Sequence, residues 1–435
     1  MVSRIHHGPL LPRRRELRRM TLGLLIPEFP GQTHIWIWRE ILQLRRWDVP
    51  IRIFSTRRPP NRERARHAFA ADAEAETTYL WPLEGRPAAA AVLWASATRP
   101  AGLAQCIRLA LTLPTNQRRR QLQLLGLVVL ACHLARHCHE QGIDHLHSHS
   151  CANSAVLCMM VKRLLGIPFS MTLNANIEWW GGAMLEKFSD AEFTNTHTRW
   201  LLDQMRRDFP SLASQQAVLG RIGVDTEVWM PRRRAPPAHG WTRIISVARL
   251  HHTKAQDVLL DAVARLVKEG LDLHVRIVGD GPQRAQFEAQ ARRLGVDELV
   301  TFTGSLGQEQ IIELMEDSDI FALPSRFEPL GVAYMEAMAM ELATIGTTAG
   351  GVREIIDDDV DGILVPPDDA RSLADAIRKL AADPVLRAKM GQAGRRKIIA
   401  KFDSSIGAAM LYQRLMGRRA PASSGGTAMM DANCK

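Results

Sequence analysis

The sequence predicts an α/β protein built from two doubly wound domains in tandem with a cleft between them, and three observations carry that expectation. The chain has 435 residues, about three times the usual single-domain length, so two domains with extensions are expected. In both halves short apolar segments alternate with stretches of helical periodicity, which is how a parallel sheet covered by helices reads. Between the halves, residues 231–240 shift to Pro, Arg, Ala and Gly, the composition of a linker.

In the first half, residues 22–27 read as a short buried strand, followed by a loop holding Pro30 and Gly31, a helix reaching Leu44, and a second strand over 50–55. Residues 65–140 read as mostly helical, punctuated by Pro82, Pro87, Pro100 and Pro114. Strands are expected at 145–149 and 169–173, with a helix over 152–165 between them. The second series runs strand 243–248, helix 257–268, strand 274–278, helix 283–294, strand 300–302, helix 308–317 and strand 320–323. The expected organisation is a basic tail (1–19), a first domain (20–230), the linker (231–240) and a second domain (241–402). A helix over 403–418 is expected to return to the first domain, ahead of a small, polar, disordered tail (419–435).

The net charge of +10 is concentrated at Arg13, Arg14, Arg15, Arg18 and Arg19, at Arg118 to Arg120 and at Arg232 to Arg234. Solvated surface is the bland reading; an anionic membrane face or phosphate-bearing substrates are the functional ones. No RNA- or DNA-binding signature accompanies the charge, so nucleic acid is not expected as a partner. Of six cysteines, Cys106, Cys132, Cys138, Cys151 and Cys158 lie in the first half within apolar stretches. That is no disulfide framework, and a reduced, cytoplasmic setting is expected. Residues 1–19 lack the apolar centre of a signal peptide. The runs 88–94 and 124–132 fall short of the ~20 residues that span a bilayer. Peripheral attachment through the basic clusters and the amphipathic stretch 103–139 stays open.

The strand over 320–323 leads into the polar loop Ser325-Arg326-Phe327-Glu328. Pro329 is read as the first residue of a helix running to Met340. Amides near Leu330, Gly331 and Val332 then face the space beyond the strand's carboxyl end, where a phosphate is favoured. Glu336, under two turns on, is placed to accept hydrogen bonds from ribose hydroxyls. A lone pair of glutamates is more often a cap and a structural residue. Here the first strand of the same domain ends at Arg249, with Lys254 five residues on, which puts two cations on the same side of the sheet. Gly350-Gly351-Val352-Arg353-Glu354 repeats the strand-to-helix turn, with glycines permitting close approach.

Arg249 with Lys254, Glu328-Pro329-Leu330-Gly331 with Glu336, Gly350 to Glu354, and Asp361-Gly362 leading to Pro366-Pro367 occur in that order. Together they resemble family 4 glycosyltransferases, retaining enzymes of the GT-B fold with two Rossmann-like domains. The resemblance is strong over 222–402 and weaker over 20–200, where Phe29 to Ile35 and Glu40-Ile41 look like bacterial exopolysaccharide and colanic-acid-type members. It implies that Arg249 and Lys254 bind the diphosphate of a UDP- or GDP-sugar, that Glu328 holds sugar hydroxyls and that Glu336 holds the ribose. Gly31 would approach the diphosphate from across the cleft. It further implies no cofactor and no metal, a saccharide or lipid-linked acceptor in cell-surface polysaccharide assembly, and work at the inner face of the inner membrane. Retention is expected by front-face attack, which makes catalysis a matter of positioning and electrostatics.

Two positions depart from the family pattern. Ala255 stands where glycine usually follows the lysine, and Thr172-Leu173-Asn174 stands where Thr-x-His is usual. Asn174 still forms hydrogen bonds but takes up no proton. A catalytically silent nucleotide-sugar-binding protein, or an epimerase of similar fold, is therefore carried as an alternative. His145, His147 and His149 alternate near Cys132, His133, His137, Cys138 and His139; their spacings match no standard zinc set, and His149 is read as a contact to the acceptor or sugar. Trp179-Trp180 is read equally as a stacking platform, through Trp179, or as a core pair. Gly279-Asp280-Gly281-Pro282 reads as an ordinary strand-to-helix turn.

Overall fold

The structure, a computed structural model, describes residues 20–60, 64–114, 118–232 and 240–417. The basic tail 1–19, the centre of the linker and the tail 419–435 lie outside the described residues. The first domain runs β1 (Leu22–Ile26), α1 (Ile35–Arg46), β2 (Ile51–Ser55), α2 (Ala70–Glu76), β3 (Thr77–Tyr79), α3 (Gly85–Thr98), α4 (Pro100–Thr112) and α5 (Arg118–Glu140). It continues β4 (His145–Ser148), α6 (Asn153–Leu165), β5 (Phe169–Leu173), α7 (Met184–Asp190), β6 (Thr194–Thr196), α8 (Arg199–Asp208) and β7 (Ala217–Leu219). The second domain runs β8 (Thr242–Val247), α9 (Gln256–Lys268), β9 (Leu273–Val278), α10 (Arg284–Leu294), β10 (Val300–Gly304), α11 (Gln308–Glu316) and β11 (Ile320–Ala322). It ends α12 (Val332–Ala339), β12 (Ala343–Thr347), α13 (Val352–Ile355), β13 (Ile363–Val365), α14 (Ala370–Ala382), α15 (Pro384–Lys401) and α16 (Ser404–Met416).

Each domain is one parallel sheet, ordered β3-β2-β1-β4-β5-β6-β7 and β10-β9-β8-β11-β12-β13. The two-domain α/β architecture expected from the alternation is therefore present. β1 and β5 are buried at every position, because helices cover both faces and no strand residue meets water. Strand order reverses between β1 and β4 and again between β8 and β11. Such switch points open crevices at the carboxyl ends of the strands. Gly23 lets β1 and β4 close on each other, since a Cβ there would meet Leu146 at 2.7 Å.

α16 packs on α1, with Tyr412 edge-on to Trp47 at 5.4 Å. The chain reaches it by pairing Val224 with Phe402 and Ser404 through backbone bonds of 2.9 Å. Residues 120–140 of α5 are long and apolar enough to cross a membrane by length and composition alone, which the shorter apolar runs concealed. In the fold this helix carries α3, α4 and α6 against it and buries Leu124, Val128, Cys132, Ala135 and Cys138 in the first domain's core. Thr77–Tyr79, within the stretch read as helical, is instead an edge strand beside β2.

Candidate active site

The two switch points face each other across a cleft of about 970 Å³. Gly31 follows β1, His149 follows β4, Arg249 follows β8 and Glu328 follows β11. All four line the cleft, as do Asn174, Lys254, Leu330, Gly331, Val332 and Glu336. Residues spread over some 300 positions of chain are thus brought to one cavity.

At its centre Lys254 Nζ donates to Glu328 Oε2 at 2.5 Å, and Ser325 Oγ donates to the same oxygen at 3.4 Å. The loop bearing Glu328 is held rigidly. Arg326 donates through both terminal nitrogens to Asp257 at the start of α9 (2.9 and 2.5 Å), and its amide donates to the Thr253 carbonyl at 2.9 Å. Thr347 Oγ1 donates to the Ser325 carbonyl and Tyr334 Oη to the Leu323 carbonyl, each at 2.6 Å.

Helix α12 does not begin at Pro329. It begins at Val332, because Gly331 adopts φ 93°, a left-handed conformation that interrupts helical geometry and that glycine takes without steric cost. A Cβ at Gly331 would also meet Tyr334 at 2.6 Å. The amides of Val332 and Ala333, rather than those of Leu330 and Gly331, are therefore the helix's open N-terminal donors. Gly350 and Gly351 serve this same turn. A Cβ on Gly350 would lie 2.3 Å from the Glu328 carbonyl oxygen, and the Gly351 amide donates to that oxygen at 2.9 Å. Their close approach is to the Glu328 backbone. Ala255 has φ 55°, so the family's glycine answers a left-handed position that alanine here occupies with some strain. Gly279 and Gly281 likewise seat the β9–α10 turn against the backbone of Ala248 and Leu250.

On the opposite wall the Gly31 amide is already used, donating to His34 Nδ1 at 3.0 Å; burial holds His34 neutral, its pKa down at about 4. His145 and His147 are not at the cleft, since both ring systems bond Ser170 Oγ (2.8 and 2.7 Å) and His147 also bonds Thr172 Oγ1 at 2.9 Å. His149 does reach it. Its Nε2 lies 3.3 Å from Glu40 of α1; burial lowers the imidazole to about 3 and raises the carboxyl to about 8. The pair accordingly carries no net charge near neutrality. Asn174 Nδ2 donates to the His149 carbonyl at 3.4 Å. Trp179 lies outside the cleft lining, 58% exposed and packed on Phe327 with ring centres 5.5 Å apart; its neighbour Trp180 lines the cleft instead. The one-residue difference follows from the 3-10 turn over Ile177–Trp180, which fans the two indoles apart.

Several cleft residues escaped sequence reasoning, among them Trp36, Arg39, His197 and Gln32. Trp36 and Arg39 share a face of α1, and Arg39 Nη2 lies 3.4 Å from Glu336 Oε1 across the domain boundary. His197 donates through Nδ1 to the Gly220 carbonyl at 3.0 Å, is lowered to about 4 by burial, and packs edge-on to Trp36. Gln32 Nε2 donates to the Leu306 carbonyl at 2.9 Å. The spacing of Trp36 and Arg39 on one helical face was the only signal available for any of them.

Residues 232–397 match the family model described as glycosyl transferases group 1. That match spans most of the second domain. It is 26% identical to alpha-D-kanosaminyltransferase from Streptomyces kanamyceticus over 60% of this chain and 73% of that enzyme. It is 27% identical to the amylovoran biosynthesis glycosyltransferase AmsK from Erwinia amylovora over 52% of this chain and 61% of AmsK. Its fold is that of HepE from Anabaena, solved in complex with UDP, with a TM-score of 0.69 at 17% identity over 92% of this chain and 100% of that one. The chain carries the GT-B arrangement, two Rossmann-like domains opposed across the cleft.

Proposed function

We propose that this protein is a glycosyltransferase that moves a sugar, with retention of configuration, from a UDP- or GDP-sugar to a saccharide or lipid-linked saccharide during assembly of a cell-surface polysaccharide. The observation that carries the reading is the Lys254–Glu328 pair, 2.5 Å apart, in the cleft that Arg249 and the first residues of α12 also line. The cations and amides would take the diphosphate, and Glu328 the hydroxyls of the transferred sugar. Glu336 would take the ribose. The acceptor oxygen forms its bond to the anomeric carbon on the face that the phosphate leaves, and the acceptor's proton passes to the departing phosphate oxygen. No protein nucleophile and no metal enter that scheme. His149 and Asn174 line the acceptor or sugar side. AmsK, named for amylovoran biosynthesis, supports the polysaccharide context. We place the work at the cytoplasmic face of a membrane, with α3 to α5 toward an anionic surface.

The test is a panel of UDP- and GDP-sugars with saccharide acceptors, following nucleotide release and the product's anomeric configuration, with and without EDTA. Transfer or slow donor hydrolysis, undiminished by EDTA and lost in Glu328→Ala, supports the proposal. An inverted product overturns retention. Tight binding without turnover favours the silent binder, and sugar interconversion without acceptor favours the epimerase.

A further inference from the structure

Arg39 is a first-domain side chain whose strongest contacts lie in the second domain. Besides Glu336, its Nη2 donates to Gln308 Oε1 at 2.8 Å, and its guanidinium lies 5.8 Å from the centre of the Trp229 ring. The side chains of Arg39 and Glu336 are only 7% and 10% exposed, and Arg39 Nη1 makes no hydrogen bond among the described residues. A buried cation with a spare donor is costly to hold, so its placement against the carboxylate read as the ribose ligand calls for a reason.

The surroundings of Glu336 supply one. Burial raises its pKa to about 6, and the charge and hydrogen bond of Arg39 work against that rise. The other neighbouring elements contribute no comparable charge. Gln308 of α11 is neutral; His67, ahead of α2, accepts from the Gln308 amide and bonds the Gln32 carbonyl, with its pKa lowered by burial. On the α15 side, Arg395 is committed to the carbonyls of Trp229 and Ala339. At the preceding turn Lys254 and Glu328 satisfy each other.

We propose that Arg39 is a positioning residue for the nucleotide: reaching across the cleft, it keeps Glu336 ionised and aimed, so that ribose recognition depends on closure of the two domains. The proposal rests on the reading of Glu336 as the ribose ligand. A carboxylate accepts from both ribose hydroxyls, whereas the protonated acid offers one poorer acceptor. Without Arg39, burial alone sets the carboxyl, and its protonation moves up through neutral pH.

The experiment is calorimetric binding of UDP-glucose and GDP-mannose, whose diphosphates do not titrate in this range, to the full chain from about pH 5.5 to 9. The intact chain should bind with constant affinity above about pH 7 and lose affinity below about pH 6. Arg39→Gln should bind about five-fold more weakly near pH 7 and recover as pH rises toward 9. Arg39→Lys should keep the original midpoint, and Glu336→Gln should bind weakly with no midpoint between about pH 5.5 and 9. Loss in Arg39→Gln that is independent of pH, or a displaced midpoint in Arg39→Lys, overturns the proposal. The lysine variant decides alone where the glutamine variant does not fold. If Glu336→Gln binds as tightly as the intact chain, the ribose reading itself fails.

Discussion

Lys254 and Glu328 meet at 2.5 Å between two turns that follow different strands of the second sheet. Glu328 is 6% exposed, and the lysine is its direct cationic partner. If the pair is the catalytic centre, the two substitutions will not add. Glu328→Gln and Lys254→Ala should each lower kcat/KM by about 10²–10³, while the double variant should lose much less than the product of the two. Steady-state rates on four proteins, with circular dichroism to check folding, decide it. Strict additivity would separate the residues functionally.

The loop carrying Glu328 depends on a residue that touches no substrate in this scheme. Gly350 has φ 56°, and an added Cβ would lie 2.3 Å from the Glu328 carbonyl oxygen. Gly350→Ala should destabilise the second domain by about 2–4 kcal/mol, combining backbone strain with a displaced loop. Activity should fall with it. A variant of unchanged melting temperature and full activity would show that the turn accommodates the methyl group.

Ala255 poses the converse case. Glycine there relieves about 1–2 kcal/mol of left-handed strain. It also removes a fully buried methyl group, worth about 0.8 kcal/mol, and frees the unfolded chain by about 0.4–1 kcal/mol. These terms nearly cancel. Ala255→Gly should therefore unfold within about 0.5 kcal/mol of the parent chain in urea, with donor turnover unchanged, and a larger change in either direction would mean that one of the three terms is misjudged.

Five histidines held neutral set an acid limit. His34, His145 and His197 are lowered to about 4, His149 to about 3 and His147 well below its usual value, all chiefly by burial. In the unfolded chain they protonate near 6.5, so between about pH 6.5 and 4 the unfolded state binds more protons and stability falls as pH drops. Glu40, raised to about 8, and Glu336, raised to about 6, act oppositely, because the folded state keeps their protons after the unfolded state has released them. Five groups outweigh two. The melting temperature should therefore fall from about pH 6.5 to 4, and His145→Gln should flatten that slope; an unchanged slope would mean that His145 is not held neutral.

The sequence disclosed the fold where a segment was long and uniform in environment. β1 read correctly because burial on both faces leaves an unbroken apolar run, and β5 and β8 because their β-branched and apolar residues are bounded by turn signals. β3, β6 and β7 have three residues each, too few to express any period. Pro329 misled because proline is as suitable just before a left-handed glycine as at the first helical position. The motif residues of the second domain were legible because one loop and one helix hold most of them. Arg39 was not, since only the docking of one domain on the other gives it Gln308 and Glu336 as partners, and no local pattern encodes docking.

The last prediction concerns the outer layer of the first domain. From Gly85 to His139 the chain contains no aspartate or glutamate, and this stretch forms α3, α4 and α5, which pack side by side. Leu93, Leu111 and Leu122 are exposed at 69%, 55% and 70%, with Arg86, Arg99 and Arg108 exposed among them. Gln121 of α5 donates to the Leu111 carbonyl at 2.7 Å, which holds the ends of α4 and α5 together. Apolar side chains amid unopposed cations suit an anionic bilayer surface, where each arginine contributes about 1 kcal/mol. Arg99→Glu with Arg108→Glu should reduce sedimentation with phosphatidylglycerol vesicles at least about ten-fold, and Leu111→Asp with Leu122→Asp should do so without the same dependence on salt. Turnover of a soluble acceptor should survive both changes, because neither pair lines the cleft. Equal binding to neutral phosphatidylcholine vesicles, or undiminished binding in the arginine variant, would remove this face as the site of attachment.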